Sequence, residues 1–417
     1  MDLHIYKSNK NKNISGTVKV SGAKNSAVAI IPACLLTDEQ VILENIPDIT
    51  DVRNLIKIIT DMGHFISFEN NILSFKRNNK AKYHFKDSIN KLRGSYYLIG
   101  SYLGYRKKIF FHQCGGCNIG SRPINYHQNG FKLLNVKIKE TKKGTLYQAK
   151  KLLGNLIKLD FPSVGATINI MLASVLAKGN TIIENAAIEP EVTDVANFLI
   201  KMGAYITGVG TNRLVISGTN KLHGTRYRII SDRIEAATYL ALGCINDNQP
   251  VTITNIDPTL LTSFIDTLKA IGHIVTINNN CITALKGKTL SPVAIKTAIY
   301  PGFSTDLGPI ITPLLTQIEG TSTLTETIFE RRFNHIGDLN KMGADITISE
   351  NTIIINGNTP LTGSKVTCQD LRGGASLLIA AIIAKNHTII RNADIIKRGY
   401  EKPIAKLKNL NIVASIN

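Results

Sequence analysis

The sequence predicts a mixed α/β protein of two domains, each assembled from three units of about seventy residues. Three observations predict it. First, a helix-like segment ends six times at a Gly or Asn (Gly63, Asn135, Gly203, Gly272, Gly343 and Asn411), with spacings of 72, 68, 69, 71 and 68 residues. Second, apolar residues recur at fixed offsets from each of these six positions. Third, a longer apolar stretch opening on a turn-like start accompanies each of them, so every unit carries a second helix.

Each element has its own local reason. Gly and Asn tolerate the left-handed backbone that closes a helix. Four residues before each closure stands Ile59, Phe131, Leu199, Leu268, Leu339 or Leu407, and one before stands Met62, Leu134, Met202, Ile271, Met342 or Leu410. Those offsets put an apolar pair on one helical face. Three residues after each closure comes Ile66, Ile138, Ile206, Val275, Ile346 or Ala414, inside short alternating runs that read as half-buried strands. The second helices open at SGAKNS from Ser21, KLRGS from Lys91, FPSVGAT from Phe161, SDRIEAAT from Ser231, STDLG from Ser304 and QDLRGG from Gln369. The stretches that follow, such as Ala166–Ala177 and Ala375–Ala384, suit helices buried on most sides. Units this small cannot bury their own faces, so three pack around one another in each domain. If the domains face each other at the second-helix starts, six helix N-termini converge on a cleft that favours anions.

Composition narrows the function classes. At 417 residues the chain exceeds one ordinary core, and 43% hydrophobic with 19% charged residues suits a globular enzyme rather than a disordered polymer. No apolar run approaches the roughly 18 residues of a membrane span. The start, MDLHIYKSNKNKN, lacks the apolar core of a signal peptide, so a cytoplasmic protein is expected, without membrane attachment. Six cysteines in so long a chain are not a disulfide framework. The net charge of +19 admits nucleic acid, small anionic substrates or compositional drift, since Lys, Asn and Ile are frequent even in evident loops such as Lys76–Lys82. No basic tail and no Lys/Arg stripe interleaved with aromatics is present, so nucleic acid is not expected as a partner. The nine histidines form no HxH or HExxH pattern, and neither metal nor cofactor is expected.

Seven motifs follow in order: SGAKN (Ser21–Asn25), GGCNIGSRP (Gly115–Pro123), DFPSVGAT (Asp160–Thr167), YPGFSTD (Tyr300–Asp306), ERRF (Glu330–Phe333), DLRGG (Asp370–Gly374) and RGYE (Arg398–Glu401). Together they resemble the UDP-N-acetylglucosamine enolpyruvyl transferase family over essentially the whole chain. The resemblance implies two inside-out α/β barrel-like domains, each of three βαβαββ-type repeats. It implies domains of residues 23–230 and of 1–22 plus 231–417, with the active site in the cleft between them. The implied reaction moves enolpyruvyl from phosphoenolpyruvate to the 3'-hydroxyl of UDP-N-acetylglucosamine by addition and elimination, releasing phosphate and opening peptidoglycan synthesis. Such chemistry needs an acid for the terminal enol carbon, a base near the hydroxyl, and cations that hold phosphate and carboxylate still, which guanidinium groups do by bidentate pairing.

The resemblance assigns those parts. Cys117, in a Gly-flanked loop, is the implied general acid; a thiol of ordinary pKa near ~8.5 is protonated at neutral pH yet can release its proton. The plain alternative is an inert loop cysteine. Cys114 stands where the family usually has proline, and the resulting Cys-x-x-Cys pair is open to reversible oxidation. Lys24, Arg122 and Arg398 match residues that hold the phosphoenolpyruvate phosphate, Arg332 and Arg372 those that pair with its carboxylate, and Asn25 a hydrogen-bonding partner beside them. Taken singly, each of these cations also reads as a solvated surface charge. Asp306 corresponds to the carboxylate at the sugar hydroxyl, and Asp370 to one at the catalytic centre; each also reads as a helix N-cap. Arg93, Arg122, Pro123, Ile124, Asn125 and Tyr126, with Phe161, Pro162, Ser163, Val164 and Gly165, match the nucleotide-sugar contacts. Backbone N–H groups at Ser163–Gly165 would cradle the diphosphate. Ile328 falls at a sugar contact or is a strand-end core residue. His127 contacts the uracil or ribose or is an ordinary helix residue. Asn125, Ser304, Leu307-Gly308 and Arg331 depart from the family pattern without removing a named catalytic group. The rivals are the sister transferase acting on shikimate 3-phosphate and a basic nucleic-acid-binding protein. A monomer using only small-molecule substrates is expected.

Overall fold

The structure is a computed structural model that describes residues 1–6, 14–83, 93–112, 124–246 and 248–417. The chain divides into two compact units. One holds Met1–Ser21 and Ser231–Asn417, the other the described residues between 22 and 230. Each has its own hydrophobic core.

Helices that are apolar all round must lie inside, and they do. In the unit of residues 22–230 these are Lys24–Ala33, Tyr97–Arg106 and Val164–Ser174; Ser26 to Ala33, Leu98 to Gly104 and Ala166 to Ser174 are buried without interruption. They approach so closely that a Cβ on Gly100 would lie 2.3 Å from the Asn169 carbonyl oxygen, so only glycine fits there. In the other unit the equivalent helices are Arg233–Gly243, Gly308–Leu315 and Leu371–Ile383, again buried nearly throughout.

Sheets surround these helices. The repeat is clearest in the strand Leu156–Lys158, the buried helix Val164–Ser174, the strand Asn180–Glu184, the outer helix Pro190–Lys201 and the strands Tyr205–Thr207 and Arg213–Ser217. Leu156–Lys158 pairs parallel with Asn180–Glu184, a connection that needs the intervening helix; the remaining pairs are antiparallel. The same strand order recurs in five four-stranded sheets, and the sixth, Lys108–Phe111 with Gly144–Gln148 and Lys137–Thr141, has three strands among the described residues. All six predicted closures have positive φ, from 60° at Asn411 to 108° at Gly272. The apolar residues four and one before them are all buried. The predicted inside-out α/β architecture is the observed one.

Within each unit one strand pairs with a partner far along the chain. Gly16–Lys19 lies parallel to Val251–Thr254, whereas Arg226–Arg228 lies parallel to Val41–Glu44. The strand Leu3–Ile5 sits between Thr388–Arg391 and Ala414–Ile416, so the start of the chain completes the last repeat. Among the described residues, Cys34, Cys244, Cys281 and Cys368 form no disulfide. Among the described residues no helix is long and apolar enough to cross a membrane.

Candidate active site

Asp306 organises the cluster in the unit that contains residues 231–417. It stands two residues before the buried helix Gly308–Leu315, whose N-cap position is Leu307, so Asp306 is not the cap. Its Oδ1 accepts from Arg332 and its Oδ2 from Arg372 Nε at 3.0 Å. Both arginine side chains are almost fully buried, at 4% and 5% exposure, while that of Asp306 is 25% exposed. Arg332 also donates from Nε to the Thr305 carbonyl at 3.1 Å. Burial would disfavour the Arg372 cation, but Asp306, Tyr400 and Asp232 outweigh it and hold the guanidinium charged, above its ordinary pKa.

Neighbouring segments fix these side chains. Asp370 caps the helix Leu371–Ile383, accepting from the Arg372 and Gly373 N–H groups at 3.0 Å each, so here the capping expectation holds. Arg398 ends the short turn Ala393–Arg398 and is half-buried. A Cβ on the next residue, Gly399, would lie 2.6 Å from the Leu371 side chain, which measures how tightly this turn is drawn against the start of that helix. Tyr400 follows, with its hydroxyl 2.8 Å from Thr238 Oγ1 and 3.5 Å from Arg372. Burial pushes the Tyr400 phenol up from its ordinary value. His335 is buried near the same charges; burial pushes its imidazole below the usual range, the Asp370 carboxylate opposes this and Arg332 adds to it.

In the unit of residues 22–230, Lys24 opens the helix Lys24–Ala33, and its Nζ lies 3.3 Å from Asp51, whose side chain is 2% exposed. Asn25 follows it, half-buried. Phe161 is exposed, and Pro162, Ser163, Val164 and Gly165 are half-buried along the entry to the helix Val164–Ser174. Ser163 is its N-cap, accepting from the Ala166 N–H at 3.3 Å. Ile124 is the N-cap residue of the helix Asn125–Leu133; Asn125 is exposed, Tyr126 half-buried and His127 buried. Ile328 is half-buried, beyond the end of the strand Thr321–Thr325, and not a core residue. Cys114, Cys117, Arg122 and Pro123, and the side chain of Arg93, lie outside the described residues.

Three positioning residues escape a reading of the sequence by motif. Glu326, buried at the end of a strand, accepts from the Ile328 and Phe329 N–H groups at 2.7 and 3.1 Å with one oxygen and from Thr305 Oγ1 at 2.8 Å with the other. It therefore ties the segment before Asp306 to the segment before Arg332. Asp51 stands against Lys24, and Asn169 against His127 at 3.0 Å. The available signal was chemical: an ionic or amide group at a helical or strand position that faces the core must find a partner.

Comparison with known proteins places this geometry. The model of the family described as EPSP synthase (3-phosphoshikimate 1-carboxyvinyltransferase) matches residues 8–407. The chain is 44% identical, over 95% of its length and 94% of the relative's, to UDP-N-acetylglucosamine 1-carboxyvinyltransferase 2 of Listeria monocytogenes serotype 4b. The chain belongs to the UDP-N-acetylglucosamine 1-carboxyvinyltransferase family. The Bacillus subtilis enzyme of the same name is 43% identical, over 95% of this chain and 93% of that one. Among solved structures, the enolpyruvyl transferase NikO from Streptomyces tendae aligns with a TM-score of 0.89 at 24% identity, covering 99% and 98% of the two chains. EPSP synthase from Acinetobacter baumannii aligns with a TM-score of 0.74 at 21% identity over the full length of both. These two likenesses show the carboxyvinyltransferase fold.

Proposed function

We propose that this enzyme transfers the enolpyruvyl group of phosphoenolpyruvate to the 3'-hydroxyl of UDP-N-acetylglucosamine and releases phosphate, as a cytoplasmic monomer opening peptidoglycan synthesis. The observation that carries this reading over the shikimate 3-phosphate reaction is the 44% identity along nearly the whole chain with a transferase named for the nucleotide sugar. No nucleic acid takes part.

The Asp306 cluster supports a specific division of labour. Both oxygens of Asp306 are engaged by guanidinium donors. The carboxylate of phosphoenolpyruvate is a competing anion for Arg332 and Arg372. As it takes up their N–H groups, Asp306 is released to accept the proton of the attacking hydroxyl. Cys117 gives its proton to the terminal enol carbon, and the sugar oxygen bonds to the adjacent carbon. Loss of a proton from the new methyl group and of phosphate from the same adduct restores the double bond. Lys24, Arg122 and Arg398 hold the phosphate, with Asn25 beside them and Asp370 at the same centre; the Asp51 carboxylate, 3.3 Å from Lys24 Nζ, holds that side chain in place. The nucleotide sugar lies along Arg93, Pro123, Ile124, Asn125, Tyr126 and Phe161–Gly165, with Ile328 against the sugar.

The test is direct. Protein incubated with phosphoenolpyruvate and UDP-N-acetylglucosamine should release inorganic phosphate. Omitting the nucleotide sugar should abolish release, and shikimate 3-phosphate should not substitute for it. Turnover with shikimate 3-phosphate in place of the nucleotide sugar would overturn the reading.

A further inference from the structure

Asn169 is wholly buried in the helix Val164–Ser174. The Gly100 N–H lies 2.7 Å from one end of its amide, and a backbone N–H can only donate, so that end is the carbonyl oxygen. The other end lies 2.9 Å from the Tyr96 carbonyl oxygen, which can only accept, so it is the amine. Two backbone groups of fixed polarity thus settle the amide orientation without reference to any side chain. The same amine lies 3.0 Å from Nδ1 of His127, whose ring is nine-tenths buried. An amine has nothing to accept with. Nδ1 must therefore be the acceptor, the imidazole is neutral, and its proton is on Nε2.

The protonated edge has a definite address. A Cβ built on Gly165 would lie 3.1 Å from both Cε1 and Nε2 of His127, so this edge faces the first turn of the helix Val164–Ser174. We propose that Asn169 is a positioning residue that locks His127 as the neutral Nε2–H tautomer, so that this turn presents a hydrogen-bond donor rather than a cation to the nucleotide sugar. The identity of the ligand rests on the function proposed above; the tautomer does not. Gly165 belongs to the same device, because any side chain there would press on the ring edge that carries the proton.

Asn169→Asp is the discriminating change. A carboxylate keeps an acceptor for the Gly100 N–H but loses both amine donations, and it asks Nδ1 of His127 to carry a proton. Long-range 1H–15N correlation spectra of the ligand-free enzyme read the imidazole directly, with His127 assigned by its absence in His127→Gln. Wild-type protein should show Nε2 protonated and Nδ1 bare, and Asn169→Asp should show Nδ1 protonated. In phosphate-release assays, Asn169→Asp should raise KM for UDP-N-acetylglucosamine by about tenfold, the loss expected for one hydrogen bond to a ligand, with KM for phosphoenolpyruvate changed less than about threefold. Gly165→Ala, which leaves Asn169 in place, should raise the same KM while keeping the wild-type tautomer. A proton on Nδ1 in the wild-type spectrum overturns the proposal whatever the kinetics. The expected spectra with unchanged nucleotide-sugar KM in both variants overturn the recognition role. Failure of wild-type turnover with UDP-N-acetylglucosamine would instead count against the proposed function and leave the spectra to decide the lock.

Discussion

Replacing Asp306 by Ala leaves two guanidinium groups, each about 95% buried, facing one another without the carboxylate that joins them. Removing one partner of a buried ion pair costs about 3–5 kcal/mol, and a value near the lower end applies because Asp306 itself is a quarter exposed and water can enter where it stood. For a unit of roughly 200 residues, about 2–4 °C of melting temperature accompanies each kcal/mol, so this unit should melt about 6–12 °C lower. Calorimetry of the ligand-free variant measures the shift. A second arm tests the competition inferred for the substrate carboxylate. Phosphoenolpyruvate should raise the melting temperature of Asp306→Ala more than that of wild type, because in wild type it must displace a resident anion. A variant that melts within about 2 °C of wild type, or one that phosphoenolpyruvate stabilises less than wild type, would refute the reasoning.

Further outcomes follow from the same chemistry. His64 and His273, buried in different units, are pushed down to about 4, first by burial and then by nearby Arg106 and Arg77 or Lys286. The unfolded chain binds these protons near pH 6.5 and the folded chain does not, so stability is complete above that pH and falls as pH drops toward 4. The loss should be about 2 kcal/mol per histidine between pH 6.5 and 5, read by urea titration, and His273→Gln should remove one histidine's share of the slope. Ser163→Asp keeps a cap for the helix Val164–Ser174 but places a negative charge at its start, so KM for the nucleotide sugar should rise at least about tenfold; an unchanged value would locate the diphosphate elsewhere. Fosfomycin, a phosphonate epoxide, should alkylate Cys117 and not Cys114, as peptide mass spectrometry will tell. Cys117→Asp should escape the label while keeping some turnover, because a carboxyl group can still donate a proton.

The repeat was legible because its signals are local. A left-handed closure favours Gly or Asn at one position, and an outer helix needs apolar residues at fixed offsets, so the six copies share one pattern and all six closures have the predicted backbone. The long-range pairings of Gly16–Lys19 with Val251–Thr254 and of Arg226–Arg228 with Val41–Glu44 have no such signal, since either short strand could join another sheet and only tertiary packing decides which sheet receives it. Asp306 shows the same limit at the site. An acid before an apolar run reads as a cap, but the N-cap position is Leu307, and the carboxylate meets arginines 26 and 66 residues further along the chain. Glu326 looks like the polar end of a strand, and its function is visible only once Thr305 and Ile328 are seen on its two oxygens. Asn169 did carry a signal, as a lone amide inside ATINIMLAS, but naming its partners required the positions of Tyr96, Gly100 and His127.

Two of the three buried helices in each unit differ at their N-terminal ends, and the difference bears on where each anion would go under the function proposed above. In the unit containing residues 231–417, Asp232 accepts from the Ile234 and Glu235 N–H groups at 2.9 and 3.0 Å, and Asp370 caps its helix in the same way. Those helix dipoles are already neutralised by carboxylates of the chain, so an anion bound there must be held by side-chain cations, the role open to Arg332 and Arg372. In the unit of residues 22–230, the helix Lys24–Ala33 begins after Ala23 with no side-chain cap and no acid in its first turn. The helix Val164–Ser174 has only the neutral hydroxyl of Ser163 and likewise no acid. Their N-terminal amides keep their positive potential for an external group. On the function proposed above, a phosphate beside Lys24 and a diphosphate at Ser163–Gly165 would meet helix ends that no carboxylate caps, while the small carboxylate would meet arginines that Asp306 already pairs with.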